Sequence, residues 1–193
     1  MNPLHQRMVE IYGPCLKAHR KGPRAVRYVN EGEWYGQYLA AYWMLKPLWK
    51  PGDDVVDLGC GIGAAKSVMP DVLTGGCDVH ASAVEQACNT FGDIFWVGDE
   101  TSIRKADIIL CLGIFNMGYT WKDVQKTLME AFRRSRKGVA LCFMRASFGD
   151  PDIQAFSISS WLGLFHRLTP RWMMDSTWSP YQISALLVKG EDA

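Results

Sequence analysis

Several things this chain does without narrow its function before any motif is read. Its six cysteines (Cys15, Cys60, Cys77, Cys88, Cys111 and Cys142) are scattered, with no CxxC pair and no metal-ligand spacing. That pattern argues against a zinc site or a disulfide framework and reads as small buried hydrophobes in a reducing compartment. No apolar run approaches the ~20 residues that cross a bilayer, and the N-terminus shows no charged-then-apolar signal pattern, so a cytoplasmic protein is expected. The formal net charge is +1 over 193 residues. No global field therefore recruits nucleic acid or acidic membranes, and such a partner would need a local patch. Nor is there length for a separate substrate domain beside a nucleotide-binding half, which counts against a dehydrogenase. With 48% hydrophobic and 21% charged residues, the chain reads as one globular domain with a substantial core.

What is present is most informative between Asp54 and Gly63, DVVDLGCGIG. Val55, Val56 and Leu58 supply a buried strand. Gly59, Gly61 and Gly63 remove the Cβ atoms that would keep a nucleoside cofactor off the backbone. A helix from about Ala64 is expected to point its positive end at the ligand. The spacing is ambiguous, because Gly59, Gly61 and Ala64 also satisfy the dinucleotide fingerprint G-x-G-x-x-G/A. Asp57, two residues before the first glycine, and the third glycine at Gly63 favour a different loop, D-x-G-x-G-x-G. A second strand, 74–78, ends in Asp78, an acid suited to a ribose diol whose hydroxyls both donate to one carboxylate. A third, 94–97, is followed by Asp99, with Glu100 beside it. An acid after one strand can be a plain helix cap; acids after three successive strands are harder to explain that way.

The rest of the chain alternates. Helices are expected over 35–48, 64–69, 80–90 and 121–135, and strands over 107–112 and 138–144, which implies a parallel sheet with right-handed crossovers. A further apolar helix covers 158–168. Arg171 to Trp178 and Tyr181 to Lys189 read as two strands joined by a short Ser179-Pro180 turn, an antiparallel hairpin at the sheet edge. The first ~30 residues are set apart by Lys17, Arg20, Lys21, Arg24 and Arg27 among turn formers. They divide the chain into an N-terminal basic arm or lid, 1–33, and a main domain, 34–193. Such an arm suits a phosphate-bearing substrate, although charge runs are more often solvated faces.

The D-x-G-x-G-x-G loop and the terminal hairpin resemble class I S-adenosylmethionine-dependent methyltransferases over roughly Trp34 to Lys189. The segments Glu33-Trp34-Tyr35-Gly36-Gln37, Leu112-Gly113-Ile114-Phe115-Asn116 and Ser179-Pro180-Tyr181 are similar to a bacterial group of that family whose fourth strand ends in a GIFN-like sequence. The resemblance implies a Rossmann-like α/β fold, a seven-stranded mostly parallel sheet closed by a C-terminal antiparallel hairpin. It implies S-adenosyl-L-methionine as cofactor and no metal. It places on the cofactor Asp57, Gly59, Cys60, Gly61 and Gly63 of the loop, Asp78 and Val79 after the second strand, Asp99 and Glu100 after the third, Leu112 of the fourth, and Trp34 as an aromatic cover. In that family Asp57 would organise the loop and the cofactor's amino group, and Asp99 would accept from the adenine amino group. There is no DPPY or NPPY sequence after the fourth strand, which disfavours amino groups of DNA bases as targets.

The expected activity is methyl transfer to a small molecule. An RNA or protein methyltransferase holding a polyanion on the basic arm, and a noncatalytic cofactor-binding subunit, remain as alternatives, with an NAD-linked oxidoreductase as a minor one. Residues near the acceptor should follow the fourth and fifth strands: Phe115, Asn116, Tyr119 and Arg145. Tyr119 equally suits the start of a helix capped by Thr120. His80 could touch the ribose or adenine edge or serve the helix that follows it. His166, on the apolar helix, is a weak candidate for a general base, and no firm base is nominated. The cluster Arg133, Arg134, Arg136 and Lys137 reads as a helix end whose cations offset the dipole, with Gly138 ending the helix.

Overall fold

In a computed structural model, residues 3–19, 31–116, 118–145 and 155–190 are described. Two helices, α1 (Pro3–His19) and α2 (Glu31–Leu45), precede an alternating unit: β1 (Val55–Leu58), α3 (Ala64–Val68), β2 (Gly75–Asp78), α4 (Ala81–Phe91), β3 (Phe95–Val97) and β4 (Ala106–Leu112). A 3-10 turn (Ile114–Asn116) leads to α5 (Trp121–Arg134), β5 (Ser135–Met144), α6 (Ile158–Leu168), β6 (Trp172–Asp175) and β7 (Gln182–Val188). The strands form one seven-stranded sheet in the order β3-β2-β1-β4-β5-β7-β6. β1 to β5 are parallel, and β7 inserts antiparallel between β5 and β6. The expected α/β fold with its antiparallel C-terminal strands is the observed one.

Strand alternation divides the core in two. Val56, Leu58, Ile109, Cys111, Val139 and Leu141 face α5 and α6, where Phe143 stacks on Trp161 with ring centroids 4.2 Å apart. Val55, Ile108, Leu110, Ala140 and Cys142 face α2, α3 and α4. The central strands are buried on both faces because helices cover both, the arrangement that parallel sheets require. All six cysteines are free thiols, and Cys60, Cys77, Cys111 and Cys142 are buried. No helix among the described residues is long and apolar enough to cross a membrane.

Three expectations need correction. Gly138 does not end α5. The chain passes from Arg134 straight into β5, with the Ser135 hydroxyl donating to the Phe132 carbonyl at 2.8 Å. Gly138 lies inside the strand between Ile108 and Val188, where a Cβ would come within 2.2 Å of the Leu187 carbonyl oxygen. The basic cluster is accordingly split. Arg133 and Arg134 pair with Glu130 on α5, while Arg136 and Lys137 are strand residues paired with Asp107 and Asp53.

The link between the last two strands is also longer than a Ser179-Pro180 turn, because β6 stops at Asp175. Asp175 Oδ1 accepts from the Thr177 amide and hydroxyl, and the Trp178 indole N–H donates to Ser184 Oγ at 3.0 Å. Trp178 packs on α2 at Gly36, where a Cβ would approach its ring to 3.0 Å. Third, the N-terminal segment is more than a solvated arm. α1 lies on the body of the protein: Met8 is buried in the core, Arg7 Nε donates to the Gly118 carbonyl at 3.0 Å, and Arg7 pairs with Asp123. Lys17 is exposed on α1; Arg20, Lys21, Arg24 and Arg27 lie outside the described residues.

Candidate functional site

The strand order reverses between β1 and β4, so the loops leaving their C-terminal ends part and open a crevice, the usual ligand position of an open α/β sheet. A cleft of about 940 Å³, its open mouth included, occupies that point.

Its floor is the glycine loop. The amides of Gly59 and Cys60 both donate to the Cys77 carbonyl, at 2.7 and 3.0 Å, which folds the loop over the end of β2. Gly59, Gly61 and Gly63 all have positive φ, at 79, 51 and 81°. Gly59 has a second constraint, because a Cβ there would lie 1.9 Å from Ile114 Cγ2. The turn after β4 thus presses on the loop after β1. α3, with five residues, is too short for the dipole role expected of it.

Asp78 closes the floor at the end of β2. Its two oxygens accept separately, Oδ2 from the Gly61 amide at 2.9 Å and Oδ1 from the His80 amide at 2.8 Å. This fixes the carboxylate plane, and each oxygen keeps acceptor capacity beyond its amide bond. Burial nevertheless raises the Asp78 pKa, with the His80 and Gly61 amides and the His80 ring opposing it. Asp99 builds a local turn, its Oδ1 accepting from the Thr101 amide and hydroxyl and from the Ser102 amide. Glu100, buried beside it, accepts from Lys126 Nζ at 2.9 Å.

Of the residues placed on the cofactor by resemblance, Trp34, Gly59, Cys60, Gly61, Asp78, Val79, Asp99, Glu100 and Leu112 line this cleft. Gly63 and Asp57 do not. Gly63 starts α3 and packs on Ala87 and Phe91. Asp57 is 2% exposed, with Oδ1 buried and unpartnered, and its pKa is pushed well up by burial and then by Asp78. Sequence reasoning missed Met8, Gln37, Tyr38, Ile62 and Gly113 of the lining. Tyr38 was within reach, one helical turn after Trp34. Met8 comes from a stretch dominated by charge, and nothing local marks it.

Tyr119 lines the cleft edge-on to Phe115, 5.5 Å between centroids, and burial raises its pKa well above 10. Asn116 is buried with Oδ1 unpartnered, Phe115 is a core residue, and Arg145 is exposed with its amide bonded to the Tyr181 carbonyl. His166 is the plain correction. α6 returns antiparallel to β5, so its last turn lies at the sheet end opposite the cleft, where exposed His166 packs edge-on against Trp172 at 5.3 Å. His80 is the opposite case. It lines the cleft and precedes α4 without a side-chain cap; its Nδ1 lies 3.0 Å from Ser82 Oγ and its Nε2 is buried without a partner.

No protein-family model matches the chain, and no curated protein matches it in sequence. Solved structures do match it in shape. Magnesium protoporphyrin IX methyltransferase from Synechocystis PCC 6803 with bound SAH superposes with a TM-score of 0.69 at 17% identity, over 96% of this chain and 93% of that one. Its SAM-bound form gives 0.66 at 18% identity, over 98% and 92%. A SAM-dependent methyltransferase from Leishmania major gives 0.69 at 12% identity, over 98% and 87%. The similarity covers nearly the whole chain, which has the fold of the class I S-adenosylmethionine-dependent methyltransferases.

Proposed function

We propose that this chain binds S-adenosyl-L-methionine in the cleft and transfers its methyl group to a small-molecule acceptor by in-line displacement. The observation that carries the reading is Asp78, held by two amides beside the glycine loop with acceptor capacity left on both oxygens. The residues fit a nucleoside cofactor in other respects. Gly59, Gly61 and Gly113 present bare backbone at positive φ. One buried ring nitrogen in the lining, His80 Nε2, has no hydrogen-bond partner, a state that costs about 1–3 kcal/mol until a ligand supplies one. Asp78 and Val79 would hold the ribose, Asp99 and Glu100 the adenine end, and the loop from Gly59 to Gly63 the methionine part.

The bound cofactor supplies an already activated methyl group. The chain's task is then to orient the acceptor and exclude water. α1 serves the second purpose, with Met8 over the cleft and Arg7 anchored to Gly118 and Asp123. The small-molecule assignment is supported by the Synechocystis neighbour, which is named for magnesium protoporphyrin IX.

Titration calorimetry with S-adenosylhomocysteine, run beside NADH and repeated on Asp78→Ala, tests the reading. Micromolar binding is expected, weakened about 100-fold in the variant, the equivalent of about 3 kcal/mol for two hydroxyl bonds to a carboxylate. No binding of the homocysteine product, or tighter binding of NADH, overturns it.

A further inference from the structure

The two edges of the sheet differ in how they are closed. β3 is three residues long, and Arg104 lies over its Trp96 at 5.1 Å, so a cation shields that edge. Among the described residues β6 has no such guard. Its outer side carries no strand, and alternation sends Trp172 and Met174 toward the α6 core while Met173 stands exposed on the α2 side. Between β6 and α2 runs a groove lined by Gly36, Leu39, Ala40, Trp43, Met173 and Asp175. Leu39 is 48% exposed, Trp43 63% and Met173 47%. An open edge strand flanked by exposed large apolar side chains is a pairing surface that soluble proteins rarely leave bare.

The charges at the groove's ends identify what covers it. Leu48 packs near Gly138, at the start of β5, so the C-terminal end of α2 lies at the sheet end remote from the cleft. Lys46 sits there, its ammonium 3.8 Å from the Trp43 ring centroid. β6 runs in the direction of β5, which puts Asp175 at the cleft end. The groove is therefore cationic at one end and anionic at the other. An antiparallel β6–β6 contact about a two-fold axis lays the cleft end of one copy on the remote end of the other. Lys46 of each copy then meets Asp175 of its mate, and the two patches of Leu39, Trp43 and Met173 close on each other. We propose that the chain forms a two-fold homodimer through β6 and the α2 groove, joining two seven-stranded sheets into one. The contact is isologous, so it closes at two copies and propagates no further.

Sedimentation equilibrium over a concentration series up to about 0.1 mM, a range that resolves micromolar dissociation constants, tests this. The unaltered chain is expected to be a dimer. Trp43→Glu and Met173→Lys, both at exposed positions, should give folded monomers, with circular dichroism melts as the control for folding. Lys46→Asp and Asp175→Lys should each weaken the dimer about 10-fold or more, and the two together should restore it, because complementary charges fix register across an interface. A monomer at every concentration overturns the proposal. So does a dimer indifferent to Trp43→Glu, or a double reversal no tighter than the single ones.

Discussion

Two sets of carboxylates at opposite ends of the sheet live under opposite conditions. At the N-terminal ends of the strands four acids have cations: Asp53 with Lys137, Asp54 with Arg104, Asp107 with Arg136, and Glu130 with Arg133 and Arg134. Their neighbours hold Asp54, Asp107 and Glu130 below the ordinary carboxylate range, Arg104, Arg136 and Arg133 being the leading causes. At the C-terminal ends, Asp57 and Asp78 are reached by no ion pair among the described residues, and burial pushes both upward. An acid is thus a fastener in the first set and a desolvated group in the second. On the proposed reading, Asp78 lines the cleft and is held by backbone so that a ligand can donate to it, whereas Asp57 lies outside the cleft.

The first way to break the contrast is at Gly59. Alanine there must hold φ near 79° and also displace Ile114 from a 1.9 Å overlap, so the loop that fixes Asp78 has to move. We expect Gly59→Ala to lose about 3 kcal/mol of stability, from overpacking and positive-φ strain together. It should also abolish cofactor binding while leaving the far-end ion pairs intact. Urea denaturation beside calorimetry checks it, and a variant of unaltered stability would show that the loop tolerates a Cβ.

A second test reverses the sign of a pH effect. The Asp57 carboxyl has a folded pKa raised above its unfolded 3.8, so the folded state binds the proton more tightly than the unfolded chain does. Its effect on stability is absent below 3.8 and becomes a growing penalty as pH rises toward the folded pKa. Asp57→Asn removes that penalty. Without cofactor, the variant should match the parent in acid and exceed it in melting temperature at neutral pH. A variant less stable at neutral pH would mean that the charge is compensated within the fold.

Much of this was legible in the chain, for physical reasons. The strands were readable because both faces are buried and the apolar runs end in glycine or an acid. α5 was readable from its capping box, Thr120 with Asp123. The glycine loop was readable because positive φ at three alternating positions admits little else. What escaped depends on distant partners. Gly138 is a glycine because of Leu187, 49 positions on, and not because a helix stops there. Gly118 is one because Met8 and Ile11 of α1 come within 2.3 and 2.9 Å of where its Cβ would stand. His166 lay on a promising helix, yet helix direction carried it to the wrong end of the sheet. No local pattern encodes such a meeting.

The smallest effect belongs to the far end and sharpens the contrast by its opposite pH dependence. Glu130 is held at about 2 against an ordinary 4.5, chiefly by its bonds from Arg133 and Arg134. A depressed carboxyl contributes stability that is complete above 4.5 and is lost as pH falls toward 2. The pairs sit at the surface, with Arg133 61% exposed, so screening reduces the contribution to about 1 kcal/mol. Glu130→Gln should therefore cost about 1 kcal/mol at pH 7, less in high salt, and nothing once both forms are protonated. Plotted against pH, its difference from the parent should shrink in acid and leave cofactor affinity untouched. For Asp57→Asn the difference also vanishes in acid but has the reverse sign at neutral pH. If the two curves share a sign, the ends of the sheet are not the opposites that their partners imply.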